Sequence, residues 1–447
     1  MTAEGFRIQE LEALVLELTK EISELKAELS RLGSPKKDSS NSSIPPSQDP
    51  FRVKRTESLR ETGNRKPGGQ PGHQGSILQM SENPTAIVDH HPSYCPACGR
   101  DLSDIVAHLQ GRRQVIDIPP ILPVITEHRV YSKVCTCGHC HQSDYPQGVH
   151  SAVCYGSTLQ AMSAYFHARQ YLSYQRMREM FRDIFRIEAS EGTLVNLVHG
   201  FATKAGGIYE EIKQRIFRSA VAGADETGVC VAGKNHWAWT FQTEKHTYIA
   251  VEQSRGKAAI DRIFENGLPH STLVHDCWKP YFNTAVQAHQ ICTAHLLREL
   301  NYLDKVYPDS WAQSFKILLD DALRLKRELS AADYLQPNEK RNLLEQRLDE
   351  LLGRNIDPQY KELATFKNRM NKYREHLFLF LYQQNVPPDN NGSERAVRTF
   401  KVKQKVSGLF RNIAGAQSFA VIRSVVDTTI KNSQNVFSAL TCIAKAE

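Results

Sequence analysis

No apolar run in this sequence reaches the roughly 18 residues that a membrane-spanning helix needs, and the first residues lack the basic, apolar and small-residue regions of a secretory signal. Both absences point to the cytoplasm. In that compartment the ten cysteines are read as thiols or metal ligands before they are read as disulfides. Compositional extremes are missing as well: 40% hydrophobic, 23% charged and 9% aromatic residues exclude a disordered or collagenous chain. At roughly 100 to 200 residues per domain, the 447 residues suffice for about two to four domains.

A strong overall charge is also lacking, since 56 Lys and Arg against 49 Asp and Glu leave only +7. The excess is concentrated, however. Residues 31–75 hold nine basic residues against four acids, and residues 394–447 hold nine against three. Two basic segments around a nearly neutral middle suit a polyanion such as nucleic acid better than they suit a merely solvated face.

Ile8, Val15, Ile22 and Leu29 recur every seven residues, and Leu11, Leu18, Leu25 and Leu32 do so in the complementary register. β-branched residues at a and Leu at d favour a parallel two-stranded coiled coil, in which Glu21 at g faces Lys26 at e of the partner. Residues 1–33 are therefore expected to dimerise. Residues 34–85 turn rich in Ser, Pro and Gly and read as a linker. Its Arg52, Lys54, Arg55, Arg60, Arg65 and Lys66 are expected to order against DNA phosphates.

Residues 86–150 carry Cys95-Pro-Ala-Cys98-Gly and, further on, Cys135-Thr-Cys137-Gly-His-Cys140. Two knuckles, each turning two thiolates to one side, can close a tetrahedral zinc site through Cys95, Cys98, Cys137 and Cys140. Cys135 is an alternative to Cys140, and His141 a further one. Val115-Ile-Asp-Ile and His128-Arg-Val-Tyr read as the strands of a zinc ribbon.

Residues 151–218 show helical spacing, with Ser190 placed to cap a second helix. Paired helices of this kind can form a helix-turn-helix for DNA, and ordinary helix packing is an equal alternative. From Val221 the period changes to that of strands. Three successive strands, a helix, a strand at Ser271–Asp276, a short helix near Tyr281 and a strand at Gln290–Cys292 follow one another. This is the element order of a ribonuclease-H-like sheet, with Asp225 inside the first strand and Asp276 closing the fourth. A carboxylate among Ala and Val costs several kcal/mol to bury unless it is paired or bound to metal. Glu226, next to Asp225, is expected on the opposite face and to tolerate change to Gln. Residues 295–385 read as a helical insertion within a core made of 219–294 and 386–447. A helix then restarts near Asn391 or Ser393, either of which could cap it, carrying Glu394 in its first turn and Arg395, Arg398, Lys401, Lys403 and Lys405 after it.

These residues resemble the DDE transposases of the insertion sequence 66 family. The likeness is carried by the leucine-zipper start, Asn41-Ser-Ser with Pro45-Pro-Ser, and Gly68-Gly-Gln-Pro-Gly-His-Gln-Gly. It continues in Cys95-Pro-Ala-Cys-Gly, Ala224-Asp-Glu-Thr, His275-Asp-Cys-Trp-Lys-Pro-Tyr, Cys292-Thr-Ala-His-Leu-Leu-Arg-Glu-Leu and Asn390-Asn-Gly-Ser-Glu-Arg-Ala-Val-Arg. The resemblance implies a catalytic triad of Asp225, Asp276 and Glu394, and a cysteine-histidine-arginine signature at Cys292, His295 and Arg298. Gly392-Ser393 departs from the family, where a more apolar residue is usual. The fold implied is an α/β ribonuclease-H-like core with an inserted α-helical domain, an N-terminal coiled coil and a zinc ribbon.

The function implied is that of a bacterial transposase that binds the element's inverted repeats and performs metal-dependent cleavage and strand transfer. Two Mg2+, or Mn2+, about 3.5 to 4 Å apart would serve the site, with Asp225 between them and Asp276 and Glu394 on either side, and Zn2+ would be structural. Expected partners are double-stranded DNA, a second copy of the chain and accessory proteins of the same element, in the cytoplasm and on the nucleoid. The alternatives are an inactive dimeric zinc-ribbon DNA-binding protein and a nuclease on the same fold. Glu299 is the expected substitute should Glu394 not complete the site.

Overall fold

The computed structural model describes Val15, Glu17, Leu18, residues 79–307 and residues 309–446. Val15, Glu17 and Leu18 are helical and exposed. The remainder of the expected coiled coil, and the linker basics Arg52, Lys54, Arg55, Arg60, Arg65 and Lys66, lie outside the described residues. The chain divides into two compact units. Val53–Thr126 with Ile184–Arg186 form the smaller; Met1–Arg52, Glu127–Asp183 and Ile187–Glu447 form the larger.

In the smaller unit a tight knuckle is built on Cys95, whose N–H donates to Arg100 O at 2.8 Å and whose carbonyl accepts from Gly99 N at 2.9 Å. Gly99 sits at φ +71°, where a side chain would be strained. Val115-Ile-Asp-Ile forms no strand, contrary to expectation: Val115 is 94% and Ile116 85% exposed. Alternating β-branched residues make a strand only where a ladder partner exists, and none pairs with this segment among the described residues.

The larger unit opens with a hairpin of β1 (Ser132–Val134) and β2 (Cys140–Gln142), starting just after the expected His128–Tyr131. Its loop repeats the first knuckle around Cys135, which donates to His139 O and accepts from Gly138 N, both at 2.8 Å. Helices α1 (Ser157–Ala164), α2 (Tyr174–Phe185), α3 (Glu191–Lys204) and α4 (Gly206–Phe217) follow. Ser190 caps α3 as its position implied, its Oγ accepting from Thr193 N at 3.1 Å.

The central sheet holds β3 (Val221–Val231), β4 (Lys234–Gln242), β5 (Thr247–Glu252), β6 (Leu268–His275) and β7 (Val286–Ile291). Helix α5 (Lys257–Ile263) precedes β6, and the short α6 (Lys279–Phe282) precedes β7. The strand order is β5-β4-β3-β6-β7. β3, β4 and β5 are antiparallel neighbours, while β6 and then β7 add in parallel. The molecule is thus mixed α/β.

Helices α7 (Thr293–Val306), α8 (Ser310–Glu328), α9 (Glu339–Gly353) and α10 (Lys361–Lys372) fill the expected insertion. Trp311, Phe315, Phe366 and Phe380 make their core, continuous with Val274 and Ile291 of the sheet. The chain then returns as α11 (Asn391–Ser407), α12 (Ile413–Lys431) and α13 (Val436–Lys445). α11 packs on β3 and β4, α12 on β5 and α3, and α13 on α1. The N-terminal helices are therefore bound into the same layer as the C-terminal ones: His199 Nδ1 lies 3.0 Å from Ser418 Oγ, and Lys204 Nζ donates to Ala444 O at 2.8 Å. No described helix is long and apolar enough to cross a membrane.

Candidate active site

In the antiparallel ladder Asp225 pairs with Thr240 and Glu226 with Trp239. Directly paired residues share a face and successive ones alternate, so Asp225 and Glu226 point to opposite faces. β6 runs parallel to β3 with Gly223 opposite Val274. Two residues further along that register, Asp276 comes beside Asp225. On the Asp225 face lies the start of α11, which brings Glu394.

Gly223 makes this approach possible. A Cβ there would stand 2.5 Å from Asn390 Oδ1 and 2.8 Å from Ser393 Oγ. Asn390 is the residue that begins α11, in place of the expected Asn391 or Ser393, yet its side chain does not cap the helix. It donates instead to Ala224 O at 2.6 Å and accepts from Ser393 Oγ at 2.6 Å, while its own N–H donates to Cys292 Sγ at 3.2 Å. Ser393, the departure from the family pattern, is fully buried in this contact. Thr293 ties α7 to the same loop through its N–H and Oγ1, both donating to Pro388 O. Sheet, α7 and α11 are joined here by polar bonds to backbone, which fix three helix and strand ends at once.

The charges respond to this crowding. Burial first, and then the carboxylates of Glu226, Asp276 and Glu394, raise the Asp225 carboxyl well above the usual range. Burial and then Glu226 push Asp276 up to about 6, although its Oδ1 accepts from Trp278 N at 3.0 Å. Burial works in the same direction on Glu394, but His295, Arg298 and Arg398 outweigh it and hold that carboxyl low. Arg298 Nη2 stands 2.5 Å from Glu394 Oε1 and Arg398 Nη2 3.2 Å from Oε2. Cys292, His295 and Glu394 offer donor atoms all within 4.8 Å of one another, the closest such trio of metal-ligating types among the described residues.

Glu226 is more heavily engaged than the sequence suggested. It is on the opposite face, as expected, but buried: Arg255 grips it at 2.8 Å and Tyr281 donates its hydroxyl to the other oxygen. Arg255 is itself sandwiched between Trp237 and Trp278, 4.9 and 4.4 Å from their ring centres. Change to Gln, expected to be tolerated, would therefore leave Arg255 without its charge partner. Glu299, the expected substitute, is taken by Arg369 of α10 at 2.6 Å.

The basic residues after Glu394 divide by burial. Arg395, Arg398 and Lys405 are exposed. Lys401 is half-buried and donates to Gly228 O. Lys403 is only 4% exposed, its ammonium against Leu172 O at 2.8 Å and His167 Nδ1 at 3.2 Å, and burial lowers its pKa to about 7. Phosphate contact by Lys403 is therefore corrected: on an amphipathic helix, a long side chain at an inward position is spent on the interior.

A mixed sheet of this order thus carries Asp225, Asp276 and Glu394 toward one end. Residues 152–418 match the family described as Transposase IS66 family, and the chain belongs to that family. Residues 2–79 match a second one, Family of unknown function (DUF6444). The two cysteine knuckles fall between the matched spans. The chain matches no curated protein.

Proposed function

We propose that the chain is a DDE-type transposase on a ribonuclease-H-like core, which cleaves DNA at the ends of its element and joins them to a target. The observation that carries the reading is that Asp225 of β3 feels the charges of Asp276, at the end of β6, and of Glu394, at the start of α11, while burial first and then Glu226 raise both Asp225 and Asp276 toward protonation. Such a donor set, all hard oxygens, fits divalent magnesium or manganese. Bound between these three side chains, the cations would supply activation of the attacking oxygen and stabilisation of the leaving one.

The chain's own residues have separate tasks. Asp225 and Asp276 must lose their protons to act as ligands. Arg298 holds the Glu394 carboxylate in place beside them. The pair of buried Glu226 and half-buried Arg255 anchors β3 to the segments around α5 and α6. Arg395, Arg398 and Lys405 present charge on α11 for the DNA backbone, joined by the linker basics. Residues 1–33 pair two chains, and the cysteine knuckles bind structural zinc.

Asp225→Asn, Asp276→Asn and Glu394→Gln should each abolish cleavage of element-end DNA in Mg2+ while leaving DNA binding largely intact. Because protons compete with the cations for Asp225 and Asp276, both held above the usual carboxylate range, Asp276 at about 6, the cleavage rate should rise with pH as they lose their protons. Cleavage by the wild-type chain without joining would make it a nuclease, and binding without cleavage would make it an inactive DNA-binding protein. Normal cutting by all three variants would end the reading.

A further inference from the structure

We propose that Cys292, His295 and Glu394 form a second cation site, selective for a borderline-soft divalent ion such as zinc or cobalt, which shares Glu394 with the magnesium site. This rests on the reading of Glu394 as a catalytic carboxylate. The trio offers one sulfur, one nitrogen and one oxygen within 4.8 Å of one another. Thiolate with imidazole is a donor pair that zinc favours and magnesium avoids. Three protein ligands also leave a fourth position open, as in zinc sites that exchange water or substrate.

Two features show that the donors are set for a ligand and not merely packed. First, their backbone positions are tied to one another. Cys292 begins α7 and His295 follows three residues later, so both lie on one side of the helix start, with His295 N–H donating to Cys292 O at 3.2 Å. Cys292 Sγ is held by Asn390 N–H, from the residue that begins α11 and four before Glu394. Second, His295 Nδ1 is enclosed without a hydrogen-bond partner, its nearest carboxylate oxygen being Glu394 Oε1 at 3.6 Å. A buried ring nitrogen left in this way costs stability, and a cation between it, the sulfur and the carboxylate would satisfy it. Arg298 then gives up its place on Oε1.

Because one carboxylate serves both sites, an ion held by Cys292 and His295 draws Glu394 from the pair Asp225 and Asp276. The trio is thus a means by which zinc turns off magnesium-dependent cleavage.

The test uses the full chain, stripped of metal and titrated with cobalt, whose charge-transfer and visible bands report thiolate ligation and tetrahedral geometry. Wild type should bind one cobalt per chain more than Cys292→Ser or His295→Gln. Glu394→Gln should retain the sulfur band but bind that ion more weakly, by more than the roughly 10- to 100-fold that loss of an outer-shell partner costs. Thermal melts of each variant identify any that fails to fold, and the two single variants at different ligands back each other. Equal cobalt stoichiometry and spectra in wild type and both folded variants overturn the site. Magnesium-dependent cleavage, measured separately on wild type, keeps the two claims apart: cleavage without a Cys292-dependent ion sinks only the second site, and a Cys292-dependent ion without cleavage sinks only the transposase chemistry.

Discussion

Single residues decide what the sheet can carry, and Glu226 is the clearest case. Its position beside Asp225 was legible from strand alternation alone. Its partners were not, because Arg255 and Tyr281 lie 29 and 55 residues away in sequence and only the fold brings them in. Removing the Glu226 charge strands Arg255, whose side chain is 33% exposed, so solvent screens part of the about 3 to 5 kcal/mol that a fully buried pair would lose. Glu226→Gln should therefore lower the denaturation midpoint, and Glu226→Gln with Arg255→Met should recover part of the loss. A midpoint within error of wild type for the single variant would show that the pair does not hold the sheet. At the second cysteine knuckle, spacing leaves Cys140, Cys135 and His141 open as the fourth ligand. Cys95 and Cys135 stand alike in their knuckles: each accepts from a glycine N–H, and neighbouring backbone N–H groups, at Ala97 and Cys98 for one and Cys137 for the other, lower each thiol. Cys140 instead lies in β2 opposite Val134. Cys135→Ser should accordingly reduce the zinc content of the purified chain and Cys140→Ser leave it, as elemental analysis would read; the reverse result restores Cys140.

Elements were legible where two signals agreed. β3, β4 and β5 combine β-branched and aromatic residues with Gly and polar turns, and each formed close to its expected place. Val115–Ile118 had the alternation without a partner and did not form. The start of α11 was visible to within a residue, but its means of attachment was not, since the Asn390 side chain caps no N–H of its own helix and binds Ala224 O of β3. That attachment depends on the absence of a side chain at 223. Gly223→Ala would bring a methyl to 2.5 Å from Asn390 Oδ1 and 2.8 Å from Ser393 Oγ, closer than carbon and oxygen approach. Overpacking of this order typically costs about 1 to 3 kcal/mol. The strain is expected to be relieved by moving α11 outward, which carries Glu394 with it, so cleavage should fall by more than stability does. Activity and melting temperature reduced in proportion would mean that the helix start does not move.

For the whole molecule, charge and assembly act together. The basic excess at the two ends was readable from composition, yet composition could not say which side chains face solvent. Lys403 is lost to the interior, and Arg395, Arg398 and Lys405 remain. Each phosphate neutralised steepens the fall of log affinity with log salt by roughly 0.9 on duplex DNA. Lys405→Ala should thus flatten the slope by about one unit, and Lys403→Met should leave it unchanged. If residues 1–33 pair two chains, a dimer brings two copies of the α11 basic face and two linkers to one DNA. Replacing Leu18 and Leu25 by Ser removes apolar d positions from the seam, so the chain should sediment as a monomer and its salt slope on a DNA bearing two element ends should fall toward half. On a DNA with a single end the slope should change far less, because one chain already makes those contacts. A monomeric double variant that kept the full two-end slope would place the pairing of ends elsewhere than in the leucine seam.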